Sequence, residues 1–464
     1  MKILRIMSSM ALATVAALSF NAQAASVDAA TARMAASQFL KQHAASSTTF
    51  KTAALSDLKL AHTEASSVKG NAYYVFNVQG GGWIIIAGDD RAKQVLAYGD
   101  KGNINMNELP GNMKGYLQLY KNQIEEMQSY KGELFTKKEL NRGNVIEPML
   151  KSTWGQDEPM DRLCPMSGNE HAAVGCGPLA MAQIMYYWKY PTEVDELESY
   201  QASWSQWISA LPATTFDYSL MLDAYTIYNP STGGVSLGTY TDEQANEVAK
   251  LCRYCGQACK VRYASSSGAY SYDQRDGFKK MGFNDNVKLI GIDPAYYCDN
   301  SNKYTEDEWK ALIYAELEAG HPIPYHNLDF VDGHAWVLDG VDADGKFHMN
   351  WGWYERYNGW FEFGAFTVYH NGETWNFNGS GNEMVINVYP YDGYVIPGDE
   401  PETMRGDVNG DHEVNIADVT ALIDYLLLED TTNVDLEAAN CNLDNEVNIA
   451  DVTTLIDYLL MQTW

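Results

Sequence analysis

Two alternating apolar runs, Ala335 to Val341 and Phe347 to Trp351, flank the turn residues Asp342-Ala343-Asp344-Gly345. Alternation has the two-residue period of a strand with one buried face, and the Asp/Gly tetrapeptide is turn chemistry, so the stretch predicts a β-hairpin. A hairpin constrains the chain because it brings its own ends together. Here the ends carry Gly333-His334 and Asn350-Trp351-Gly352-Trp353. The expected result is an imidazole beside an amide that fixes its tautomer and orientation, as a general base requires. His348 shares the face of Asn350 and is a second candidate, without the glycine that opens the strand before His334.

A base needs a nucleophile, and one cysteine has a suitable setting: Val174-Gly175-Cys176-Gly177-Pro178, followed by Leu179 to Met185. Pro178 suits a first helical position, and Leu179, Ala182, Met185 and Trp188 form an apolar face, so Cys176 is expected to cap a buried helix. The free N–H groups and dipole of a helix start favour thiolate over thiol, and the flanking glycines admit a substrate backbone. Gln156, in Trp154-Gly155-Gln156, is a candidate second oxyanion donor beside the Cys176 N–H. Buried cysteines and core histidines are common, so it is the pair in these contexts that points to catalysis.

The length of 464 residues allows about two to four domains. Lys2 and Arg5, an apolar run from Met7 to Phe20, and Ala22-Gln23-Ala24 read as a removed signal peptide over residues 1–24, which implies secretion, with retention at the cell surface as a second fate. No later run is long and apolar enough for a transmembrane segment. A net charge of -29 excludes nucleic acid as a partner class, since binding it needs basic patches. Seven cysteines are an odd number, which leaves a free thiol in an exported protein. Cys252, Cys255 and Cys259 share one helical face and read as a buried small-residue stripe rather than a zinc site, for want of a fourth ligand. His321 and His326 are separated by Pro322 and Pro324, which break helical alignment, and read as structural.

Residues 25–143 predict a small α+β domain: a helix from Ala29 to His43, strands at 72–78 and 83–88 around Gly80-Gly81-Gly82, and a helix from Met113 to Tyr130. A polar connector with Lys137, Lys138 and Arg142 follows, a natural site for nicking. A second α+β domain is expected over 144–391, with mostly helical segments between nucleophile and base and an amphipathic helix from Tyr304 to Ala319. Residues 392–405 form a Pro-, Gly- and acid-rich linker.

The last segment, 406–464, is a duplication. Asp407 to Asp418 recurs as Asn440 to Asp451, and Val419 to Leu427 as Val452 to Leu460, each unit a loop plus a helix. Oxygen side chains at loop positions 1, 3, 5, 9 and 12 form the donor pattern for calcium. The ligands are Asp407, Asn409, Asp411, Asn415 and Asp418 in the first loop, and Asn440, Asn442, Asp444, Asn448 and Asp451 in the second. His412 and Asn445 stand where such loops turn on glycine, and Asn440 replaces an acid, so the second site is expected to bind calcium more weakly.

At Gly175-Cys176, Ala182 to Met185, Gly333-His334-Ala335 and Asn350 to Trp353 the chain resembles the streptopain family of papain-like cysteine proteases. Residues 72–130, with Tyr74 to Val78 and Gly88-Asp89-Asp90-Arg91, are similar to that family's inhibitory propeptide, and 407–460 resemble a dockerin. The resemblance implies a papain-like two-subdomain catalytic domain, a propeptide domain before it and a small all-α module after it. It implies Cys176 as nucleophile, His334 as its partner and Gln156 as oxyanion donor, with Asn350 and Trp351 orienting and shielding the histidine. It further implies that Ser267-Gly268 line a pocket for a hydrophobic residue two positions before the cut bond. A cohesin-type partner would contact Ile416-Ala417 and Ile449-Ala450. Peptide hydrolysis without a catalytic cofactor is thus expected. Acyl transfer to an amine, as in a transglutaminase, and non-catalytic adhesion are the alternatives.

Overall fold

The triple glycine at 80–82, all three residues at positive φ, turns the chain between two strands, Asn71–Val78 (β2) and Trp83–Ala87 (β3), as its freedom from a Cβ permits. They belong to the first of two units, Met1–Asp392 and Gly393–Trp464, in a computed structural model. It describes residues 26–43, 50, 54–130, 144–229, 234–327, 334–365, 381–397, 404–411, 413–428, 434–444 and 446–461, with backbone alone at 135–136, 368–370 and 373–374. The expected signal peptide, most of the connector, part of the linker, Gly333, His412 and Asn445 lie outside those residues.

The amino-terminal part of the first unit begins with helix α1 (Ala29–Gln42), capped by Asp28, and strand β1 (Leu58–Ala65). After β3 come β4 (Val95–Gly99) and helix α2 (Gly111–Ser129). Then follow α3 (Cys176–Trp188), α4 (Asp242–Ala258) and α5 (Ser271–Lys280). β5 (Lys288–Gly291) precedes α6 (Glu306–Glu318), which starts on a Thr305/Glu308 capping box. Strands β6 (Ile323–Asn327), β7 (His334–Val341), β8 (Phe347–Asn350), β9 (Gly359–Phe361) and β10 (Asn382–Ile386) complete it. The hairpin β7–β8 is present as expected. The stretch between α3 and α4 differs from the mostly helical expectation: short antiparallel pairs join 193–194 to 214–215, 200–203 to 206–208, and 226–228 to 235–237.

One ten-stranded sheet runs in the order β1-β2-β3-β4-β9-β8-β7-β6-β10-β5. The amino-terminal strands thus continue the sheet that carries His334, joined where Trp360 pairs with Tyr98 and Phe361 with Ala97. Its core is also continuous, since Trp83, Met113, Tyr116 and Tyr120 cluster with Trp336, Trp351, Phe361 and Phe363. Burial of aromatics on this scale is the main source of cohesion between the two parts. Polar ties reinforce it: the hydroxyls of Tyr116 and Tyr120 donate to the Glu362 carbonyl at 2.9 and 2.6 Å, and Lys93 pairs with buried Glu362 at 2.5 Å.

The second unit pairs α7 (Ile416–Leu428) with α9 (Ile449–Met461), with the short α8 (Leu436–Ala439) between them in sequence. Val408, Val419 and Leu422 of one repeat pack with Cys441, Val452 and Leu455 of the other.

The joint between β4 and β9 depends on Gly359, where a Cβ would stand 2.4 Å from the Tyr98 carbonyl and 2.9 Å from the Trp83 ring. Gly359→Val is expected to destabilise the intact protein by about 1–3 kcal/mol through overpacking, read as a lower urea midpoint. With residues 25–143 removed, the same change is expected to cost less than about 0.5 kcal/mol.

Candidate active site

Cys176 is the first residue of α3, and Gly175 before it adopts φ 94°, a conformation natural to glycine. A Cβ at Gly175 would also press on the Ser267 carbonyl at 3.3 Å, so Ser267 and Gly268 lie beside the cysteine. Pro178 is the third helical residue rather than the first, still within the turn whose N–H groups have no helical acceptor.

The Ala335 N–H donates to Cys176 Sγ at 3.4 Å, which sets the start of β7, and with it His334, against the helix end. Gln156 is brought to the same place because its carbonyl accepts the Val174 N–H at 3.1 Å. Its side chain is buried, and its amide makes no hydrogen bond among the described residues. An amide so held is available to a ligand.

Two expectations need correction. Asn350 does not bond His334: β7 and β8 pair Asn350 with Val337, and His334 lies opposite Asn327 on β6. The Asn350 amide is engaged elsewhere, donating to the Ser152 carbonyl at 2.9 Å and accepting the Gly352 N–H at 3.1 Å. An irregularity between Leu338 and Gly340 shifts the register, and β7 extends beyond the end of β8. Nor is the thiol acidified in this state. Desolvation pushes the Cys176 pKa up, and the N–H groups of Ala335, Gly177 and Cys176 itself, acting in the expected direction, do not overcome it.

Residues of the amino-terminal part occupy the site. A Cβ at Gly111, the first residue of α2, would stand 2.3 Å from His334 Nε2, and Asn112 donates to the Trp351 carbonyl at 3.2 Å. The Trp351 ring is buried, 5.0 Å from Trp336 and 5.8 Å from Tyr116. The loop after it is held by Arg356–Glu108 at 2.9 Å and Lys101–Glu355 at 2.5 Å, with Tyr354, Glu355 and Tyr357 all at positive φ. Non-glycine residues in that region store strain that neighbours must sustain.

The other candidates are accounted for structurally. His348 Nδ1 lies 2.6 Å from fully buried Asp339, whose other oxygen accepts the Leu150 N–H, so the pair fastens the chain entering this domain. His321 lies 3.2 Å from Glu316 and stacks on Tyr389. Cys255 and Cys259 contact Met185 and Met181, each at 3.5 Å, which makes their face a packed stripe as expected.

In the second unit both predicted loops close with the same bonds. Asp418 accepts the N–H groups of Asn409 and Asn415 at 3.1 and 2.8 Å, and Asp451 those of Asn442 and Asn448 at 3.0 and 2.8 Å. The Asp411 N–H reaches both Asp407 and Asn409, as that of Asp444 reaches both Asn440 and Asn442. Asp418 and Asp451 are fully buried and have no cationic partner among the described residues. Buried carboxylates among oxygen donors fit a hard cation. No group of three or more Asp, Glu, His or Cys among the described residues is preset for a metal; asparagine amides share each set.

Each part is similar to known proteins. Residues 154–361 match the peptidase C10 family, residues 24–124 the Spi protease inhibitor, and residues 405–460 the dockerin type I domain. Streptopain of Streptococcus pyogenes is 26% identical over 333 residues, covering 67% of this chain and 78% of that protein. The thiol protease/hemagglutinin PrtT of Porphyromonas gingivalis is 26% identical over 304 residues, 62% of this chain and 33% of that protein. A fragment of prointerpain A from Prevotella intermedia superposes with a TM-score of 0.58 at 26% identity, covering 72% of this chain and 98% of that one.

Gly111→Ala drives a methyl group into the His334 imidazole. It is expected to loosen the start of α2 and speed alkylation of Cys176 in the intact protein by at least about tenfold, followed by mass spectrometry of the labelled peptide.

Proposed function

We propose that this chain, whose parts match the peptidase C10 family, the Spi protease inhibitor and the dockerin type I domain, is a cysteine protease with a propeptide, a secreted endopeptidase made as a zymogen. The observation that carries this reading is Gly111 of the inhibitor domain lying against His334, next to the residue whose N–H reaches the Cys176 sulfur. The inhibitor blocks by covering the imidazole. Its removal frees His334 to act on the thiol.

In the freed enzyme His334 takes the Cys176 proton and the thiolate attacks a peptide carbonyl carbon. The oxyanion is held by the Cys176 N–H and the Gln156 amide. The intermediate collapses to a thioester as His334 protonates the departing amine. Water, deprotonated by His334, then releases the acid and restores the thiol. In the blocked state Asn350 fixes the segments around Ser152 and Gly352; in the active state it is assigned to the imidazole, with Trp351 as its cover. Ser267 and Gly268, beside Gly175, receive the substrate residues before the cut bond.

Residues 1–24 direct export, and cutting within 131–143 separates inhibitor from enzyme. Calcium, bound by the two loops of the carboxy-terminal repeat, would neutralise buried Asp418 and Asp451. Ile416 and Ile449, 70% and 68% exposed at the starts of α7 and α9, offer the contact for a cohesin-type protein.

Cys176→Ala is expected to leave the fold unchanged while abolishing both casein cleavage and removal of residues 25–143. Self-processing by that variant would refute the assignment. Asp418→Ala is expected to eliminate one of two calcium equivalents in a calorimetric titration, the remaining one being the weaker site.

A further inference from the structure

His326 lies on β6 directly opposite Ala335, as Asn327 lies opposite His334. Its Nε2 is 2.6 Å from Oε1 of Gln274 on α5, and Nε2 of Gln274 donates to the Gly177 carbonyl at 2.6 Å. His326 is buried and Gln274 has no exposure at all. The chemistry orders the protons: a carbonyl only accepts, so Gln274 turns its nitrogen to Gly177 and its oxygen to His326. His326 must therefore carry its hydrogen on Nε2. Burial drives the His326 pKa down to about 4, so the ring is neutral at neutral pH.

These bonds close a ring of contacts around the nucleophile. Cys176 Sγ receives the Ala335 N–H; Ala335 pairs with His326; His326 holds Gln274; Gln274 holds Gly177, the next residue after Cys176. We propose that His326 and Gln274 are positioning residues, a buried brace that ties the strand bearing His334 to the helix bearing Cys176 and sets the spacing of thiol and imidazole. The claim rests on the Cys176–His334 reading above. A built-in control exists, because α5 is anchored to the same sheet by a second bond, Ser271 to Glu383 at 2.5 Å, and Glu383 also lies opposite His326. That bond holds the helix without touching Gly177.

The test uses full-length variants processed in trans by a trace of tagged wild-type enzyme that is then withdrawn. Gln274→Leu and His326→Phe are expected to lower kcat on a peptide substrate by about 10- to 100-fold with KM within about twofold, the scale on which small misplacements act. The rate of Cys176 alkylation by iodoacetamide at neutral pH falls with kcat. Gln274→Met keeps the length of the side chain but loses the donor to Gly177 and the acceptor for His326, and carries the same expectation should Gln274→Leu fail to fold. His326→Gln restores an N–H donor and is expected to recover most of kcat, and Ser271→Ala is expected to leave kcat and alkylation within twofold. The brace is overturned if folded Gln274 and His326 variants keep wild-type kcat and alkylation, or if Ser271→Ala loses as much as they do. Activity remaining in Cys176→Ala would instead overturn the underlying assignment, while an inactive Cys176→Ala beside a normal Gln274→Leu overturns the brace alone.

Discussion

The hydrogen bond from the Ala335 N–H to the Cys176 sulfur joins residues 159 positions apart and is the contact to which the rest of the first unit answers. A helix start and a strand start must arrive at one point for it to form. Gly175 gives the chain its turn into the helix, the hairpin fixes the strand, and the Val174–Gln156 bond adds the third segment. Each part has local structural causes. Their convergence is tertiary, and it is what makes a pair of ordinary residues into a site.

The elements of that site were legible because each has a strong local signal. Alternation around Asp342–Gly345 announced the hairpin, and glycines, proline and an apolar helical face announced the cysteine helix. The partner of Asn350 was not legible. β7 runs three residues past Asn350, which pairs with Val337, and the irregularity between Leu338 and Gly340 moves it only one position toward His334, so the strand pairing stops short of the histidine. The state of the thiol was also hidden, since helix-end electrostatics are local whereas the desolvation that outweighs them comes from tertiary packing. The short strand pairs of 193–237 were missed because two- and three-residue strands carry too little periodicity to read. Gln274 has no motif at all; only the fold puts it between His326 and Gly177.

The carboxy-terminal unit shows the opposite case. Its ligand positions are set by spacing within single loops, so duplication in sequence became duplication of bonds, down to the paired N–H groups on Asp418 and Asp451. Short-range constraints survive translation into structure more faithfully than those that need a distant partner.

The junction of β4 with β9 has a consequence if residues 25–143 are cut away as proposed. While the first four strands are in place, β9 is an interior strand; without them its outer N–H and C=O groups would become a sheet margin open to any passing chain. Its brevity, Gly359–Phe361, limits how many rungs a stray strand could add, which restrains fibrous self-assembly.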